Sequence, residues 1–169
     1  MRKPVIIVPY DPAWPAKFVQ IRDEILAALG STALAVEHIG STSVPGLDAK
    51  PIIDIDVIIS TEADLSTAIS KLSKAGYTYE GEKGIEGRHA LAQPSGLPAH
   101  HLYVCAAGNP ELKRHIAFRD SLRANPDVAK SYGALKKCLA EKFGSDREGY
   151  TDAKAAFIAE VLLNLSHNS

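Results

Sequence analysis

Two aspartates one residue apart, Asp54 and Asp56, sit in the run Ile52-Ile53-Asp54-Ile55-Asp56-Val57-Ile58-Ile59. The β-branched neighbours make this a strand of a sheet interior. Residues i and i+2 of a strand share a face, so the two carboxylates project side by side, with α-carbons about 6.5–7 Å apart. Like charges so placed need a cation, a shared proton or strong donors nearby. Hard carboxylate oxygens suit Mg²⁺ or Mn²⁺, which makes Asp54 and Asp56 the candidate metal ligands. The alternative is a structural pair satisfied by backbone amides or by Lys and Arg.

A turn precedes this strand, Gly40-Ser41-Thr42-Ser43, followed by Val44-Pro45-Gly46-Leu47. Glycine lets a ligand approach the backbone closely, and the amides of such a turn can cradle phosphate oxygens. Clustered Gly and Ser also make plain strand-to-loop turns. The acidic strand just downstream favours Gly40, Ser41, Thr42 and Ser43 as phosphate-binding residues. Lys50, four residues before Asp54, can reach the same ligand or pair with Asp54. His38 shares a strand face with Leu34 and Val36, where it either braces the turn or touches the ligand.

The C-terminal part supplies cations at apolar positions. At 100° per residue, Leu112, His115, Ile116, Phe118, Arg119 and Leu122 share one helical arc, and Tyr150, Lys154, Phe157, Val161 and Leu165 share another. Arg119 and Lys154 are thus drawn inward. Buried cations are costly unless paired. They read as phosphate clamps, or else as internal ion pairs, with Glu37 or Asp120 as partners for Arg119, or as long side chains that snorkel to solvent. Lys136, beside Val128, Tyr132, Leu135 and Leu139, is a weaker clamp candidate.

The elements that must position these groups follow from punctuation and periodicity. Asp11-Pro12 opens a helix to about residue 29, stopped by Gly30, with Phe18, Ile21, Ile25, Leu26 and Leu29 as its apolar stripe. Strands are expected at 33–39, 51–59, 77–79, 88–92 and 99–106, and a helix capped by Thr61 runs to about 75. Asn109-Pro110 and Asn125-Pro126 each read as an N-cap followed by proline at the first helical position, opening helices near 110–124 and 126–142. Thr151 caps a last one to about 165. The expected class is α/β (α+β), a mixed sheet flanked by helices, with a C-terminal helical segment. A single domain is expected over 1–169, with a core at about 1–108 and a helical tail at about 109–169.

The 169 residues carry a net charge of −1, which gives no general case for a nucleic-acid or membrane partner. The balance is local: seven acids and three Lys from Asp54 to Glu86, but ten Lys/Arg and seven acids from Glu111 to Lys154. An acidic sheet facing basic helices suits a metal–phosphate ligand between them; by charge count alone, two ordinary solvated surfaces fit equally well. The apolar run Val5–Val8 is too short for a signal segment, and Cys105 and Cys138 have no metal or redox spacing. A cytoplasmic protein is expected.

The block Glu37-His38-Ile39-Gly40-Ser41-Thr42-Ser43-Val44-Pro45-Gly46-Leu47, continued by Lys50-Pro51-Ile52-Ile53-Asp54-Ile55-Asp56, resembles the centre of the GrpB-like proteins, a branch of the nucleotidyltransferase superfamily. The likeness runs from Val8-Pro9-Tyr10-Asp11-Pro12-Ala13-Trp14-Pro15 through His100-His101-Leu102 and Phe118-Arg119-Asp120 to Lys154-Ala155-Ala156-Phe157-Ile158. It implies a nucleotidyltransferase-like mixed sheet and a nucleotide or other phosphate-bearing small molecule as partner. The implied reaction transfers a nucleoside monophosphate from a nucleoside triphosphate, with Mg²⁺ or Mn²⁺ on Asp54 and Asp56.

The superfamily pattern adds a third carboxylate from a later strand. The expected strand 99–106 has none; His101 or Tyr103 stands in that place. His101 is therefore a candidate third metal ligand or general base. The second implied function is a non-catalytic nucleotide- or coenzyme-binding module, because GrpB-like domains also look to occur fused to dephospho-coenzyme A kinase. A zinc or hydrolase site built from His38, His89, His100, His101 and Asp54 has no supporting spacing.

Overall fold

The structure, a computed structural model, describes residues 3–168. Helix α1 (Trp14–Leu29) carries Pro15 in its first turn and is closed by Gly30, whose φ of 54° suits a residue without a side chain. Strand β1 (Ala35–Ile39) leads into a single 3₁₀ turn at Ser41–Ser43, and β2 (Ile53–Ile59) carries the aspartates. Helix α2 (Leu65–Lys74) follows a 3₁₀ turn at Glu62–Asp64, which Thr61 and Asp64 close as a capping box. Strands β3 (Thr78–Gly81), β4 (Arg88–Ala92) and β5 (His100–Ala106) complete the sheet. Helices α3 (Pro110–Ala124), α4 (Pro126–Phe143) and α5 (Arg147–His167) finish the chain.

The five strands lie in the order β1-β2-β5-β4-β3, with β2 and β5 parallel and the other pairs antiparallel. This is the expected mixed sheet. On β2 the odd residues Ile53, Ile55, Val57 and Ile59 pack into one core with Ile21, Ile25 and Leu29 of α1 and Leu72 of α2. The alternation of β2 therefore sends Asp54 and Asp56 to the opposite face, toward α3, α4 and α5. A second cluster, Val44, Leu47, Leu122, Ala129 and Tyr132 with Phe118 and Phe157, ties those helices to the loop after β1.

Three local expectations change. Leu26, placed in the α1 stripe, is exposed. Asp146, not Thr151, caps α5: its carboxylate accepts from the Gly149 amide, and Thr151 lies inside the helix with its hydroxyl donating to the Arg147 carbonyl. Both residue types cap well, and the one at the chain reversal wins. Asn109 caps α3 by accepting from the Glu111 and Leu112 amides, whereas Asn125 turns its amide back to the Ser121 carbonyl. Among the described residues no helix is long and apolar enough to cross a membrane.

Candidate functional site

The Gly-Ser turn is held close against the acidic strand. Gly40 has φ 71°, and a Cβ there would lie 2.5 Å from Asp54 Oδ2, so only glycine lets the turn pass so near the carboxylate. The Ser43 hydroxyl donates to the Gly40 carbonyl, and Arg123 Nε donates to the Ser43 carbonyl at 2.9 Å. His38 is buried, 2.9 Å from Thr42 Oγ1 through Nε2 and stacked on Phe18. Burial, and then Arg123, push its pKa down to about 4, so it is a neutral brace at neutral pH.

The two aspartates differ. Asp54 is partly exposed, and its Oδ1 lies 2.9 Å from His101 Nδ1. Parallel pairing of β2 with β5 puts His101 directly beside Asp54 in register, and Tyr103 beside Asp56. His100 faces the other way, bonded to the Tyr77 hydroxyl at 2.8 Å. Asp56 is fully buried: Oδ2 is 2.8 Å from His115 Nδ1, while Oδ1 has no hydrogen-bond partner.

Three lysines from three elements converge on this turn. Lys50, Lys136 and Lys154 line a cavity of about 160 Å³ together with Gly40, Ser41, Thr42, Asp54, His101 and Tyr150. Asp54 is the only carboxylate in that lining among the described residues. Lys136 is 2% exposed and donates to the Asp48 carbonyl at 2.6 Å. Lys154 and Lys50 lie over the Tyr150 ring, 4.5 and 5.4 Å from its centroid. Among the described residues none of the three forms an ion pair with a carboxylate. Burial, and then Lys154, press the Lys136 ammonium down to about 7; burial, and then Lys50, press Lys154 down to about 8. Burial also lowers Lys50. The Tyr150 hydroxyl is buried without a partner. Mutually repelling, desolvated ammonium groups around a polar hollow give this cavity a positive lining in which an anion could be held.

Of the residues picked from sequence, this cavity gathers Gly40, Ser41, Thr42, Lys50, Asp54, His101, Lys136 and Lys154. His38, Ser43, Asp56 and Arg119 lie outside its lining. Arg119 follows the ion-pair alternative: it donates to Glu37 at 2.6 Å, Asp120 at 2.8 Å and the His38 carbonyl at 3.1 Å. Tyr150 and His115 are neighbours of the site that the sequence does not single out. Tyr150 shares a helical arc with Lys154 and His115 one with Arg119, and that shared arc is the available signal.

Among the described residues no three His, Cys, Asp or Glu side chains gather as a metal cage. The donors present still fit a hard divalent ion. Asp56 keeps one carboxylate oxygen without a partner, Asp54 is open to the cavity, and Mg²⁺ commonly takes one or two carboxylates with its other ligands from substrate phosphate and water.

A mixed five-stranded sheet with a Gly-Ser turn over a two-aspartate strand defines a nucleotidyltransferase-like fold. The complex of GLD-2 with RNP-8 shares that fold, with a TM-score of 0.55 at 14% identity, covering 86% of this chain and 58% of that one. The model of the GrpB protein family matches residues 4–164, and the chain belongs to that family. The crystal structure of GrpB from Enterococcus faecalis superposes with a TM-score of 0.81 at 39% identity, covering 92% of this chain and 94% of that one. UPF0157 protein YqkA of Bacillus subtilis is 35% identical over 157 residues, 93% of this chain but 46% of its own length. A protein named dephospho-CoA kinase in Mycolicibacterium paratuberculosis is 29% identical over 187 residues, again 95% of this chain and 46% of that protein. The chain thus spans about half the length of these two relatives.

Proposed function

We propose that this protein binds a nucleoside triphosphate with its phosphates in the lysine cavity and transfers the nucleoside monophosphate to an acceptor. The observation that carries this reading is the convergence of Lys50, Lys136 and Lys154 on the Gly40–Thr42 turn beside Asp54. The lysines neutralise and orient the phosphate chain, the turn amides and the Ser41 and Thr42 hydroxyls complete its cradle, and Gly40 keeps the chain close to Asp54. Asp54 and Asp56 are the residues that hold Mg²⁺ or Mn²⁺. When bound, the ion neutralises charge developing on the transferred phosphoryl group. The acceptor oxygen forms a bond to the α-phosphorus, the bond from that phosphorus to the bridging oxygen breaks, and pyrophosphate leaves. His101, oriented through Nδ1 by Asp54, takes the acceptor's proton.

A second reading is a binding module without turnover. It is favoured by His101 standing beside Asp54 where a third carboxylate would complete the catalytic set. The relative named dephospho-CoA kinase supports an accessory role near coenzyme A metabolism for such a module.

Titration calorimetry with nucleoside triphosphates and coenzyme A precursors, with and without Mn²⁺, on wild type and Asp54→Ala tests both. Metal-dependent binding that Asp54→Ala abolishes, with a nucleotidylated product by mass spectrometry, establishes transfer. The same binding with no product over long incubation establishes the module. Binding indifferent to metal and to Asp54 refutes the metal role.

A further inference from the structure

A second cavity, of about 350 Å³, opens beside the lysine cavity and shares Gly40, Asp54 and Lys154 with it. We propose that this cavity holds the nucleoside of the triphosphate, with the Arg88–Tyr103 stack as its recognition surface; this rests on the phosphate assignment above. A phosphate chain and its attached nucleoside must occupy adjoining compartments, and the three shared residues make these two adjoin. The lysine cavity is too small for a whole nucleotide, whereas the second falls in the range of small-molecule sites. Its walls combine apolar contact with hydrogen-bonding groups, as a nucleoside needs: Ile39, Phe118 and Ile158 are apolar, and Arg88, Tyr103, Glu111, Arg114, His115 and Thr151 are polar.

The Arg88 guanidinium lies 4.2 Å above the Tyr103 ring centroid, a flat cationic face of the kind on which bases stack. Its Nε is buried without a hydrogen-bond partner. Arg114 and Glu111, by contrast, satisfy one another at 2.9 Å. A third cavity, of about 310 Å³, lies on the outer part of β4 and β5 and shares Ile52 and His101 with the phosphate site. Its charged pair, Lys83 and Glu80, is already joined, and none of the unpartnered buried polar groups lines it.

The test compares the full chain's affinity for inorganic tripolyphosphate with that for ATP, GTP, CTP and UTP, by calorimetry. The variants are Arg88→Gln and Ala155→Trp. Ala155 is exposed and lines the second cavity, so a tryptophan there fills it without entering the core. Stacking predicts that at least one triphosphate binds about tenfold or more tightly than tripolyphosphate. Ala155→Trp should reduce that nucleotide to the tripolyphosphate level, and Arg88→Gln should remove part of the increment. Neither variant should move tripolyphosphate itself by more than about twofold. Equal affinity for tripolyphosphate and every nucleotide overturns the nucleoside assignment and leaves the lysine site standing. Variants that weaken tripolyphosphate and nucleotide alike overturn it too. Nucleotide binding lost in Ala155→Trp with no tripolyphosphate binding sustains the nucleoside cavity and removes the phosphate assignment. No binding of any probe overturns both.

Discussion

Replacing Lys136 by methionine should make the protein more stable while loosening its hold on phosphate. Lys136 is 2% exposed, and its ordinary pKa of 10.5 is pushed down to about 7 by burial and by Lys154. At about 1.36 kcal/mol per pH unit, that gap is roughly 5 kcal/mol of penalty for carrying the charge in the folded state. Methionine fills a similar volume without the charge. It gives up one bond to the Asp48 carbonyl, worth about 1 kcal/mol. A net gain of about 1–4 kcal/mol is expected at pH ~6. The sign with pH follows from proton counts. Below about 7 the lysine is charged folded and unfolded, and the whole penalty stands. Between about 7 and 10.5 the unfolded chain holds the extra proton, so wild-type stability rises with pH and the advantage of the variant shrinks. Urea unfolding of both proteins at pH ~6 and pH ~9 without phosphate measures this. Tripolyphosphate affinity should fall about tenfold or more in the variant, the loss of one charge-assisted contact. A Lys136→Met protein that is less stable at pH ~6, or whose difference from wild type ignores pH, refutes the reasoning.

Gly40→Ala should cost about 1–3 kcal/mol, from its φ of 71° and the Cβ 2.5 Å from Asp54 Oδ2, and should abolish metal-dependent nucleotide binding; calorimetry and thermal unfolding read the two effects. His38 gives a window at lower pH. With its pKa at about 4 folded and 6.5 unfolded, the unfolded chain holds more protons between those values, and roughly 3 kcal/mol of stability is lost as pH falls through them. A shallower stability slope across that window in His38→Gln is the expected result. Arg119→Met breaks a pairing with the half-buried Glu37 and the exposed Asp120, so folding stability should fall by about 2–3 kcal/mol in thermal unfolding, with tripolyphosphate affinity of the folded protein changed less than about twofold.

Much of the site was legible one element at a time. Alternation put Asp54 and Asp56 on one strand face, glycine marked the turn beside them, and proline and glycine marked most helix ends. Helical phase showed that Arg119, Lys136 and Lys154 leave the solvent face. The end of the chain was less legible, since Asp146 and Thr151 are both good caps and only the path of the backbone after α4 chose between them.

Periodicity says which way a side chain points from its own element and nothing about what it meets. The sequence alone therefore determined the sheet, its acidic face and the supply of inward cations. Tertiary structure decided their fates. Packing gave Arg119 to Glu37 and Asp120, and brought Lys50, Lys136 and Lys154 together with no carboxylate but Asp54 in the cavity lining. The parallel neighbour β5 set His101 beside Asp54, while α3 laid His115 against Asp56 and buried it. Each outcome turns on distances between groups far apart in the chain, because a buried charge is governed by its neighbours in space and the order of residues does not fix those neighbours.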